Sequence, residues 1–199
     1  MTRRTPRATR HAFRTVLTAV PASAVLLSLI FVGGAPATSK SGPGPDVMTQ
    51  TSWYGISLGD SIKRAAADHG WSADSCVGAS VPDFINVPSH YSVEVARGAV
   101  AGKVGRIVSW GNLRGSHGVK HGVKVSQLKK FLKRGVKHPV MPGTEWGWTY
   151  WVIPMKSHFF VVRTGTDSGS GSPHRVEVFG LAKSRAVAND IGSTQGGCI

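Results

Sequence analysis

His117–Pro139 reads HGVKHGVKVSQLKKFLKRGVKHP, and its centre has helical spacing. Leu128, Phe131 and Leu132 fall at i, i+3 and i+4, which makes one apolar stripe. Ser126 is placed to cap the first turn, because its hydroxyl can accept from an unpaired backbone N–H. Gly135 is placed to end the helix in the left-handed conformation. The opposite side carries Lys129, Lys130, Lys133 and Arg134. The last two suit the negative helix end, and the first two oppose the dipole at small cost on an exposed face. Two HGVK tetrapeptides, beginning at His117 and His121, precede the helix, and a third Gly-Val-Lys starts at Gly135. From Arg97 to Lys137 there are eleven Lys plus Arg and no Asp or Glu.

The same pattern occurs upstream in GISLGDSIKRAAADHG, Gly55–Gly70. Asp60 is the expected cap, Ile62, Ala65 and Ala66 the stripe, and Gly70 the stop. Adding 66 sets Asp60 on Ser126, Ile62 on Leu128 and Ala65-Ala66 on Phe131-Leu132. The same offset sets Val93, Val95 and Arg97 on Phe159, Val161 and Arg163. An offset of 69 sets Arg106-Ile107 on Arg175-Val176 and Trp110-Gly111 on Phe179-Gly180. This ordered series points to an internal duplication. Alternation predicts strands at Tyr91–Ala96 and Val104–Trp110, then at Thr149–Ile153, Ser157–Arg163 and Arg175–Leu181. A strand at Phe84–Val87 would be shortened by Pro82 and Pro88. Helices this short need a sheet to cover their stripe. The expected fold class is therefore α+β, a tandem duplicated unit of a short helix packed on antiparallel strands.

The N-terminus reads as an export signal. Five Arg without an acid precede the apolar run Val16–Val32, and Ala35-Pro36-Ala37 offers small residues for cleavage. An uncleaved leader would instead anchor the chain in a membrane. Removing residues 1–37 leaves 19 Lys plus Arg against 10 Asp plus Glu, a formal net of +9. The expected organisation is a signal over residues 1–37, a flexible linker over 38–52, a first helix-plus-sheet repeat over 53–115 and a second over 116–199. Cys76 and Cys198 are the two cysteines, an even count that fits one disulfide in an oxidising compartment. Closing so long a loop stabilises by about 4–5 kcal/mol on the chain-entropy account.

The Gly-rich helix entries Gly55–Ser61 and His121–Ser126, with Cys76 and Gly196-Gly-Cys198, resemble those of uncharacterised actinobacterial secreted two-repeat proteins. More distantly, the layout resembles the tandem helix-plus-sheet modules of the β-lactamase inhibitory protein and of small outer-membrane assembly lipoproteins. The resemblance spans about Trp53 to Cys198 and implies a two-module α+β fold. By analogy it implies a second function class, inhibition of an extracellular enzyme.

No catalytic motif emerges: there is no G-x-S-x-G elbow, phosphate-binding loop or H-E-x-x-H helix. Ser116 beside His117 lacks an orienting acid, and the carboxylates are scattered. His117 and His121 have metal-pair spacing, but a Gly-rich loop holds them and no third ligand is near in sequence. No metal or other cofactor is therefore expected. Trp146, Trp148 and Tyr150 alternate against Trp151, a spacing that core packing explains better than an exposed sugar-binding face. The candidate binding residues are Lys120, Lys124, Lys129, Lys130, Lys133, Arg134 and Lys137. Their expected partner is an anionic envelope polymer or an acidic protein surface. Nucleic acid is the weaker candidate, because export removes the chain from it and no reading motif is present.

Overall fold

The computed structural model describes residues 43–139, 149–165 and 174–193, all within one compact unit, Ser39–Ile199. The expected signal, residues 1–37, and Cys198 lie outside the described residues.

A two-residue hairpin comes first, β1 (Ser52–Trp53) with β2 (Ile56–Ser57), followed by α1 (Ile62–Asp68). Four strands follow: β3 (Ala73–Asp74), β4 (Phe84–Ile85), β5 (Val93–Arg97) and β6 (Val104–Ser109). A 3-10 turn, Val125–Leu128, then runs into α2 (Lys129–Leu132). Four more strands follow: β7 (Val136–Pro139), β8 (Thr149–Pro154), β9 (Phe159–Gly165) and β10 (Arg175–Ala182). Helix α3 (Arg185–Ser193) closes the described chain. The eight longer-range strands form one antiparallel sheet in the order β3-β4-β5-β6-β10-β9-β8-β7. Helices beside an antiparallel sheet make the fold α+β.

Both apolar stripes enter the main core as their spacing requires. Ile62, Ala65 and Ala66 of α1 are buried there, with Leu128, Phe131 and Leu132 of the second helical segment. Phe131 meets Phe160 edge-on at 5.4 Å, and Phe160 stacks on Phe179 at 6.2 Å. Burying one such ring contributes about 2–3 kcal/mol.

The helix ends differ from expectation. Ser61, not Asp60, caps α1 and accepts from the Arg64 N–H. Asp60 accepts instead from the Ser57 N–H at 2.7 Å, which fixes the turn before the helix. Ser126 lies inside the 3-10 turn and caps nothing. Gly70 is left-handed (φ 68°), but Gly135 is not. Gly135 is small for another reason: a Cβ there would lie 2.6 Å from Ile153 and 2.9 Å from the Val152 carbonyl.

The strand register also differs. Val93 and Val95 share the main core with Phe160 and Val162, whereas Val161 is buried in a second cluster and Phe159 packs against that same cluster. Matching Val93 and Val95 to Phe159 and Val161 thus fails by one residue, and one residue turns every side chain over. The match of Arg106 to Arg175 fails too. Val104 and Val176 flank equivalent bulges on β6 and β10, so Arg106 stands where Val178 does.

Neither helix α3 nor strands β3 and β7 were expected. Helix α3 packs Ala188 and Ile191 on Val108, Val152, Val161, Val178 and Ala182, the far face of the sheet. Gly192 lets the helix approach the Tyr150 ring, where a Cβ would collide. Folded structure also starts before Trp53. Met48 is fully buried, and the Pro45 carbonyl accepts from Trp53 Nε1 at 2.7 Å, so the expected linker is packed from Pro45 on.

Candidate functional site

All seven cations singled out from the sequence are exposed. Lys120 and Lys124 sit in the loop ahead of the second helical segment, where Lys124 bridges to Arg175. Lys129 and Lys130 lie on the outer side of α2, and Lys133 and Arg134 continue from its end. Lys137 belongs to the edge strand β7, and its Nζ lies 5.9 Å over the Trp151 ring. Among the described residues none of the seven forms an ion pair. The basic stretch is shorter than its sequence, however. Arg97 pairs with Asp83 at 2.6 Å, and the buried Arg106 pairs with Glu94 and Asp190, each at 2.7 Å. These two belong to the far side of the sheet, so the exposed cationic run starts later in the chain.

A recess of about 600 Å³ opens inside this run. His117, Lys120, His121, Gln127 and Arg175 line it. Arg175 is fixed there by donating to the Gly122 carbonyl at 2.6 Å. His117 takes a left-handed backbone (φ 61°) and stacks on Phe131 at 4.3 Å, which ties the loop to the helix. With all five side chains neutral or cationic, the recess suits an anionic group. No cluster of three His, Cys, Asp or Glu occurs among the described residues.

On the far face a cavity of about 670 Å³ lies between β4, β5 and α3. Phe84, Ala96 and Val187 supply apolar wall, and Asp83, Glu94 and Arg106 supply charge. Sequence reasoning missed this arrangement, because Asp83, Glu94 and Arg106 come from three separate segments and form no local motif. Cys76 stands at its rim, donates its N–H to Asp83 at 3.0 Å and is not a free thiol. A nucleophilic role for Cys76 has no support here.

Tyr150 and Trp151 point to opposite sides of the sheet, Tyr150 towards α3 and Trp151 towards the main core. Trp146 and Trp148 lie outside the described residues. Two histidines are shifted. Burial lowers the pKa of His158, and a contact with the Gln50 backbone opposes the shift only in part. His69 is also lowered by burial, against the opposing charge of Asp68. Among the described residues no helix is long and apolar enough to cross a membrane. The chain matches no family model, no curated protein and no solved structure.

Proposed function

We propose that this chain is an exported, non-catalytic binding domain that recognises an anionic envelope polymer or an acidic protein surface. One observation carries the reading: seven exposed cations between Lys120 and Lys137, none ion-paired among the described residues, with Lys120 lining a recess beside Arg175 and two histidines. Lysines held this way keep their full charge available to a partner, and counterion release supplies most of the affinity. Reversing Lys129, Lys130, Lys133 and Arg134 to Glu tests it on a column of anionic cell-wall polymer. Wild-type retention should fall about tenfold or more between 50 and 200 mM salt. The reversed protein should pass through unretained, and unchanged retention refutes the proposal.

The binding domain is read as a duplicated unit. Each half runs helix, then four antiparallel strands, and the two last strands meet at the centre of the sheet. The bulge shared by β6 and β10 supports the same reading, since bulges are positional features and not accidents. A Cys76–Cys198 bond would join the first half to the chain end, and non-reducing peptide mapping of the secreted protein tests it. Inhibition of an extracellular enzyme is the second reading, on the two-module analogy alone. Docking through an open sheet face would be confined to the first half, because α3 covers the second.

A further inference from the structure

We infer a second binding surface, a platform of aromatic rings at the end of α1 that takes uncharged sugar rings of a polysaccharide. It goes beyond the cationic site and shares no residue with it.

Three separate segments bring the rings together. Tyr54 comes from the β1–β2 turn, His69 and Trp71 from the end of α1, and His90 and Tyr91 from the 3-10 turn before β5. His69 stacks on Trp71 at 4.7 Å, Tyr54 meets His69 at 4.8 Å, and Trp71 meets Tyr91 at 5.8 Å. The buried Trp53 lies under them, 6.0 Å from Trp71 and 5.6 Å from Tyr91. Tyr54, His69, Trp71 and Tyr91 are partly exposed and His90 is exposed.

The chemistry of the patch selects the ligand class. Each residue joins an apolar ring to a polar edge atom, the combination that matches the C–H face and hydroxyl rim of a pyranose; Trp71 stacks on both Trp53 and His69 and so backs the outer rings. None of the rings is Phe. Among the described residues no hydrogen bond engages the Tyr54 or Tyr91 hydroxyls or the Trp71 indole N–H, so these groups remain for a ligand. The rings carry no formal charge of their own, whereas the chain expected after residue 37 has a formal net of +9. Burial keeps His69 neutral at neutral pH, and the adjacent Arg64 and Asp68 pair with each other at 3.8 Å. An uncharged patch on a cationic protein complements a neutral ligand and not an anionic one.

Tyr54 adds an independent argument. The two-residue turn Tyr54-Gly55 has positive φ at both positions, 49° and 82°, a conformation that Asn-Gly satisfies without strain. A tyrosine is held there at a backbone cost, and what it gains is a ring placed on the platform.

The test uses the intact protein and hexasaccharides of β-1,4-N-acetylglucosamine, β-1,4-glucose, β-1,3-glucose and α-1,4-glucose, followed by calorimetry and tryptophan fluorescence. At least one should bind, with an affinity indifferent to 1 M salt and to charge reversal at Lys129, Lys130, Lys133 and Arg134. Tyr54→Asn should weaken that binding roughly tenfold, the value of one aromatic contact, while the variant stays folded by circular dichroism. Trp71→Ala should weaken it at least as much. Binding of none of the four sugars overturns the inference, as does sugar binding that Tyr54→Asn and Trp71→Ala leave intact. Binding of an apolar peptide in place of every sugar overturns it as well.

Discussion

Replacing Arg106 by Met removes the charge that holds α3 to the first half of the sheet. The Arg106 side chain is 7 % exposed, and its two terminal guanidinium nitrogens lie 2.7 Å from Glu94 and Asp190. Met fills most of the stem volume, so the loss is electrostatic and not a cavity. Breaking a fully buried pair costs about 3–5 kcal/mol, mostly because the orphaned charge stays desolvated. Glu94 and Asp190 are 21 % and 26 % exposed, so water relieves part of that cost and about 2–3 kcal/mol is expected. In urea this lowers the unfolding midpoint by about 1 M. Amide exchange should quicken first in residues 185–193, since α3 loses its anchor on β6. Adding Glu94→Gln and Asp190→Asn to the Met variant should recover most of the loss by removing the stranded charges. A Met variant within about 0.5 kcal/mol of the parent refutes the reasoning, as does a triple variant no more stable than the single one.

Three further outcomes are expected. His158 is buried and held neutral, so its folded pKa lies below the ordinary 6.5. The unfolded chain therefore binds this proton first as pH falls. Stability contributed by His158 is present above about pH 6.5, declines by up to about 1.4 kcal/mol per unit below it, and levels off once pH passes the folded value. Thermal melts at pH 7, 6 and 5 should show this decline, and His158→Gln should reduce it. Phe131→Ala should cost about 3–5 kcal/mol in denaturant titration, because the ring is buried among Phe160, His117 and the two leucines of its own segment. Gly192→Ala should destabilise by about 1–3 kcal/mol although alanine favours helix, since its Cβ meets the Tyr150 ring; a stabilised variant would show that α3 does not pack there.

The two helical stripes were legible in sequence because their signal is local. Ile62-Ala65-Ala66 and Leu128-Phe131-Leu132 lie within one or two turns, and any sheet that buries them must bury that side. The five longer strands were found to within a residue or two for the same reason, since alternation is a nearest-neighbour pattern. The cationic run is likewise visible in order of residues, and its lysines stay exposed because a long charged side chain resists burial unless paired.

Pairing between distant segments was not legible. Nothing near Arg106 in sequence marks it as buried; Glu94 lies on a neighbouring strand, and Asp190 follows 84 residues later. Register could not be read either, because a slip of one residue preserves every local pattern and changes only which face meets the core. Helix α3 escaped notice because Ala188 and Gly192 carry almost no apolar signal, and their small size matters only against Tyr150 and the sheet. The aromatic platform is of the same kind. Sequence alone determined the charge, the stripes and the strands, each set by neighbours along the chain. Tertiary structure decided which strand follows which face, which charges cancel and which rings meet, since those free energies exist only between residues that folding brings together.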